Sequence, residues 1–359
     1  MIGRRTTLSA EKRPMLKKRY IFLVLIIFIL YFLPIPFYYS EPGSAERLSQ
    51  YIQMEESVFE DEQEQGHFML TTVKMGKANV FFYLWSYFSP YRVIHPESQV
   101  RIDGETDEEY QHRQLMHMKN SQEAATIIAY EKAGKTVEID YLGVNVTQLI
   151  DGMPASSILR VGDIITEIDG QPILDVEDLF SSLADKTIDD EVTVKILRSG
   201  EELEYEIGFS IFPDELQTGE EMQVGMGIVG PVTAKEVTFE PEIQIDTAQI
   251  GGPSAGLMFS LEILNTLSEG DLTKGYEVAG SGTINEEGEV GPVGGIAQKV
   301  VAAERVGADY FFAPSTDLVE GSNFEQAQKA AIDIEASLEV IPIETIDDAI
   351  TFLDELQPK

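Results

Sequence analysis

Ile250-Gly251-Gly252-Pro253-Ser254-Ala255-Gly256 sets one hydroxyl among residues with almost no side chain. Small neighbours let an extended backbone come close, and Pro253 is a natural residue at the start of a helix. The helix that follows carries Leu257, Met258, Leu261 and Leu264 on one face, which places Ser254 at its positive end. There the backbone N–H groups of Gly252 and Ser254 are candidates for holding an oxyanion. A Gly-Pro-Ser-Ala-Gly run is also an ordinary tight turn into a packed helix, so by itself the stretch leaves both readings open.

A serine hydroxyl needs a base before it acts as a nucleophile. All four histidines, His67, His95, His112 and His117, lie far upstream, and none sits in a motif. Lys299, in Gly294-Gly295-Ile296-Ala297-Gln298-Lys299-Val300-Val301-Ala302-Ala303, is the better candidate. Ile296, Lys299, Val300 and Ala303 share one helical face, so the lysine stands on the apolar side. A desolvated ammonium gives up its proton more easily, as a lysine base requires. The competing outcome is a lysine that snorkels out at the helix edge.

Serine and lysine together resemble the Lon-type proteolytic domain. Pro253-Ser254-Ala255-Gly256 corresponds to the nucleophile motif of that family. The run from Gly280-Ser281-Gly282-Thr283-Ile284 through Gly288 and Gly291-Pro292-Val293-Gly294-Gly295 to Lys299 corresponds to its hairpin and catalytic lysine. The resemblance extends over residues 242–355 and implies Ser254 as nucleophile with Lys299 as general base. Many Lon proteases carry an acid three residues before the serine, where this chain has Gly251. Asp246 or Thr283 are then the candidate helpers that orient Lys299. The ATPase that usually accompanies the family is not expected. The only lookalike, Gly134-Lys135-Thr136, has Ala129 where a phosphate loop needs its first glycine, and it ends a helix.

Upstream, residues 136–210 read as a small, mostly β module, with strands at 137–141, 144–150, 164–168, 192–197 and 203–208 and a helix at 175–184. Leu159-Arg160-Val161-Gly162-Asp163-Ile164-Ile165-Thr166-Glu167-Ile168-Asp169-Gly170, preceded by Gly152-Met153-Pro154-Ala155, resembles a PDZ domain. The resemblance implies that Leu142, Gly143 and Val144, after Tyr141, bind a peptide carboxylate. The peptide would add a strand in a groove between 144–150 and the helix.

Residues 68–73 read as a strand, 107–114 as a charged surface stretch, and Asn120 followed by Glu123 as the start of a helix ended by Gly134. A lone strand and helix cannot bury their apolar faces, so they are assigned to the protease domain. That domain is expected in two parts, 60–135 and 211–355, around the inserted PDZ-like module. Three consecutive modules are the alternative.

Tyr20 to Tyr39 is twenty residues without a charge, directly after Lys17-Lys18-Arg19. At about 1.5 Å per residue it matches the roughly 30 Å of a bilayer core. The basic flank places residues 1–19 in the cytoplasm, with Phe37, Tyr38 and Tyr39 at the far interface and the rest outside the cell. A cleavable signal peptide, using Gly43-Ser44-Ala45, is the rival, disfavoured by the length of the run.

The 359 residues hold 26 basic and 62 acidic side chains and no cysteine, for a formal charge of −36. Such a body repels nucleic acid. Without cysteine there is no disulfide scaffold, thiolate zinc site or cysteine nucleophile, and neither a metal nor a cofactor is expected. The fold class expected is an α/β (α+β) Lon-type domain carrying an inserted PDZ-like domain behind one transmembrane helix. As a whole the chain resembles the membrane-anchored PDZ-Lon proteases of Gram-positive bacteria. That implies ATP-independent cleavage of secreted or surface peptides and proteins, peptide signals included. The alternative is an anchored PDZ adaptor with an inactive protease domain.

Overall fold

The computed structural model describes residues 18–54, 66–102, 105–213, 223–247, 250–315 and 321–359; the basic tail 1–17 lies outside them. The chain divides into two units, one of residues 1–135 and 243–359, the other of 136–242. The small unit therefore ends at 242, not 210, and the large one begins well before residue 60.

The large unit opens with α1 (Lys18–Phe32), β1 (Pro34–Arg47), β2 (Ile52–Met54), β3 (His67–Asn79), α2 (Val80–Ser86), β4 (Val93–Pro96) and α3 (Asp107–Lys132). The apolar run expected to span a membrane over 20–39 is thus divided. Its first part is helix, whereas from Pro34 it is strand, paired antiparallel with β3 and β4. Pro34 and Pro36 explain the break, because proline removes helix donors and clashes with the preceding turn. No helix among the described residues is long and apolar enough to cross a membrane. Gly43-Ser44-Ala45 lies inside β1, beside Thr71–Val73.

α3 is longer than its apolar stripe foretells. Thr106 and Glu109 form a reciprocal capping box at its start, and Glu105 pairs with Arg113 at 2.7 Å. The polar first half, read as a surface stretch, is therefore helix held by local hydrogen bonds instead of burial.

The small unit contains β5 (Thr136–Asn145), β6 (Gln148–Leu149), β7 (Ile164–Ile168), β8 (Gln171–Pro172), α4 (Val176–Leu183), β9 (Glu191–Arg198), β10 (Glu201–Gly208), β11 (Ser210–Ile211), β12 (Val224–Gly225), β13 (Ile228–Val229) and β14 (Val232–Glu240). Its main sheet runs β10-β9-β7-β5-β14. Val144, Ile165, Leu179, Val194 and Ile196 fill its core. The Arg198 guanidinium, 2.6 Å from buried Asp163, pins the turn before β7. The two strands expected at 137–141 and 144–150 are largely one, β5, with an irregular register opposite Ala234 and Lys235 in place of a turn.

The chain then returns to the large unit with β15 (Ile243–Ile245), α5 (Gly256–Leu267), β16 (Glu277–Gly280), β17 (Thr283–Ile284), β18 (Val290–Gly291), α6 (Ile296–Arg305), β19 (Tyr310–Pro314), α7 (Asn323–Asp333), β20 (Glu339–Ile343) and α8 (Ile346–Glu355). The six-stranded sheet runs β20-β19-β16-β3-β1-β4, parallel from β20 to β3 and antiparallel beyond. β15 pairs with β2, and α5 packs against α3. The early strands and the late helices thus build one layered α/β core, which positions the two sequence motifs against each other.

Candidate active site

α5 is apolar almost all round and every residue from Gly256 to Asn265 is buried, which fixes the loop that feeds it. α3 grips that loop from the side. Ser121 Oγ donates to the Pro253 carbonyl at 2.8 Å, and Gln122 Nε2 donates to Thr247 Oγ1 at 3.0 Å. Ser254 ends up half-buried, one turn before the helix proper. α6 begins at Gly295, whose φ of +69° a residue with a side chain adopts rarely. One turn later Lys299 enters the core with only 3% of its surface exposed.

The two side chains meet: Lys299 Nζ lies 2.6 Å from Ser254 Oγ. Burial lowers the amine from its ordinary value of 10.5 to about 7. A second hydroxyl completes the cluster. Ser281 Oγ lies 2.7 Å from Lys299 Nζ and donates its own proton to the Ser254 carbonyl at 2.8 Å. With that proton committed, Ser281 accepts an N–H from the neutral amine, so the amine's lone pair is left for Ser254 O–H. The hydroxyl in contact with Lys299 is thus Ser281, where the sequence offered Asp246 or Thr283. Thr283 stands in the β17–β18 hairpin, and Asp246 N–H is tied to the Tyr51 carbonyl beside β2. A small hydroxyl between glycines carries no sequence mark of burial, so Ser281 was missed.

One expected site residue, Gly252, is engaged elsewhere. Gly252 N–H donates to the Gln114 carbonyl of α3 at 2.9 Å, so it is not free to hold an oxyanion. Gly251 lies against the same residue, and a Cβ there would stand 2.8 Å from Gln114 Cβ. The missing acid is therefore matched by α3 occupying its space.

Leu142, Gly143 and Val144 do not border an open groove. β5 is paired on both edges, Val144 standing opposite Thr233 of β14 and Ile165 of β7. The end strand of that sheet is β14, and the start of α4 reaches it through Val176 N–H to Thr233 Oγ1 at 3.3 Å. The helix of the expected groove, α4, does pack on β5, while β14 occupies the edge of β5 opposite Val144. Among the described residues no cluster of His, Asp or Glu is disposed to hold a metal.

Residues 246–354 match the Lon protease (S16) C-terminal proteolytic domain, and residues 116–208 match a PDZ domain. Lon protease of Vibrio parahaemolyticus is 34% identical over 107 residues, which are 30% of this chain and 13% of that protein. The mitochondrial Lon protease homolog of Caenorhabditis elegans is 35% identical over 83 residues, 23% of this chain and 8% of its own. The chain thus spans a small fraction of these relatives' length. Among solved structures, the PDZ domain of an SdrC-like protein from Listeria monocytogenes is 25% identical, covering 26% of this chain and 90% of that one, with a TM-score of 0.23. A solution structure from Geobacillus thermodenitrificans is 36% identical over 21% of this chain and 85% of that one, with a TM-score of 0.19. The chain carries a PDZ domain together with a Lon-type serine peptidase domain, the pairing of the PDZ-Lon proteases.

Proposed function

We propose that this chain is an ATP-independent serine endopeptidase, anchored by α1 with its two domains outside the cell, in which Ser254 is the nucleophile and Lys299 the general base. The observation that carries the reading is the 2.6 Å approach of Ser254 Oγ to a buried amine that titrates near neutrality. The neutral amine takes the hydroxyl proton as Oγ attacks a peptide carbonyl, and the ammonium then protonates the departing amine. Ser254 N–H, at the positive end of α5, faces the developing oxyanion. A water then releases the acyl group by the same proton transfers in reverse order.

Extended peptides or proteins are the substrates, captured along the outer edge of β14 beside α4. The anchor is the helix ending at Phe32, whose uncharged part from Tyr20 is about 20 Å long at 1.5 Å per residue. That is about 10 Å shorter than a bilayer core of about 30 Å, a mismatch that local thinning takes up at a cost of a few kcal/mol. The basic residues 4–19 favour a cytoplasmic start for it. An adaptor with an inactive protease domain has no reason to keep a lysine buried against a serine, since burying an amine costs stability. Ser254→Ala tests the assignment. It should stay folded and membrane-bound with casein cleavage at background, and cleavage at the parent rate would refute it.

A further inference from the structure

α1 and the aromatic helix α2 meet at one end of the sheet. Pro34, two residues past α1, stands opposite Asn79, the N-cap of α2, and the two helices pack together. One face of α2 serves the fold: Phe82 stacks on Tyr39 with centroids 4.3 Å apart, and Tyr83 meets Phe37 edge-on at 5.6 Å. The other face does not. Leu84 is 53% exposed, and Tyr87 and Phe88, just after the helix, are 75% and 79% exposed, with Phe81 and Trp85 also turned outward. A contiguous group of five large apolar side chains at the surface marks a contact with something other than water.

The charge of this region also departs from the rest of the chain. Residues 66–96 contain no Asp or Glu, where 62 acids in 359 residues would place about five (31 × 62/359), while Lys74, Lys77 and Arg92 are basic. The Arg92 guanidinium lies 5.1 Å from the Trp85 ring centroid. Tryptophan and tyrosine beside cations, at the end of an exposed apolar helix, is the composition of a membrane interface. Arg92 and Lys77 are paired with Glu41 and Asp107 of neighbouring segments, so an anionic leaflet, which the acidic body repels, meets carboxylates here that are already neutralised.

We infer that Phe81–Phe88 forms an interfacial platform that lies in the lipid headgroup region and seats the catalytic unit directly on the bilayer. The inference rests on α1 being the anchor. With Pro34 already in the sheet, no free linker separates anchor from enzyme, and the platform fixes how the sheet meets the membrane.

Trp85 is the only tryptophan of the chain, so its fluorescence reports on this site alone. The full chain is reconstituted in phosphatidylcholine–phosphatidylglycerol vesicles containing lipid brominated near the headgroup end of its acyl chains. The protein should float with the vesicles, the brominated lipid should roughly halve Trp85 emission, and aqueous acrylamide should quench it little. A Leu84→Glu, Phe88→Glu double variant alters exposed positions only; it should still float but lose quenching by lipid. Flotation with Trp85 fully open to acrylamide overturns the platform and leaves the anchor standing. Failure to float overturns the anchor and the platform together. Shielding of Trp85 that grows with protein concentration but ignores lipid bromination assigns the face to a second copy of the chain, and also overturns the proposal.

Discussion

Replacing Lys299 by Met should stabilise the protein at neutral pH while abolishing its activity. The amine is 3% exposed and titrates near 7 when folded against 10.5 as the ordinary value. The folded pKa is lowered, so between these values the unfolded chain binds a proton that the folded chain does not. Stability attributable to Lys299 therefore rises with pH across that window, by up to about 1.4 kcal/mol per unit. Between pH 7 and 9 the gain works out at about 2 kcal/mol, and the whole burden at pH 7 is about 4 kcal/mol. Methionine keeps the length and apolar stem without a titrating group, so the variant should be more stable at pH 7 by a few kcal/mol, with the difference shrinking as pH rises. Urea unfolding of both proteins in detergent, at several pH values from 7 to 9, gives the two curves. Curves that stay parallel would mean that Lys299 keeps its proton when folded, and the base assignment would fall with it.

Three further outcomes follow from the same contacts. Ser281→Ala should lower kcat about ten- to hundredfold with little change in KM, because the amine loses its orienting partner, and Ser281→Thr should restore most of it; an unaltered kcat removes Ser281 from the site. Gly251→Asp, which supplies the acid seen in many relatives, should lower Tm through its clash with Gln114, at a cost of about 1–3 kcal/mol; a gain in activity with unchanged Tm would contradict the packing. Gly143→Asp should unfold the PDZ domain, since φ there is +128° and a Cβ would stand 2.1 Å from the Ile165 carbonyl oxygen. A folded variant that selectively loses affinity for peptide C-termini would return Leu142–Val144 to the role of capture loop.

Ser254 and Lys299 were legible because each is announced locally, one by small neighbours before a helix, the other by standing on an apolar helical face. What joins them to the rest is long-range and backbone-made. Gly252 N–H meets a carbonyl 138 residues upstream, at Gln114, and no side-chain pattern records such a bond. β14 follows the apparent end of the PDZ repeat of strands and reads as catalytic-domain sequence, yet it completes the sheet by pairing with β5 some ninety residues earlier. Hydropathy could not divide the run 20–39, because a helix and a sheet strand can be equally apolar; only Pro34 and Pro36 mark where one becomes the other. The first half of α3 lacks a stripe because it is held by its cap and by ion pairs.

The most direct measurement is the rate at which a fluorophosphonate labels the full-length protein as a function of pH, with the labelled residue identified by mass spectrometry. The account predicts a single adduct on Ser254, forming faster as pH rises through about 7 and then levelling off, and absent from Lys299→Met. An adduct on another residue, or labelling of Ser254 that persists at the parent rate in Lys299→Met, would contradict it.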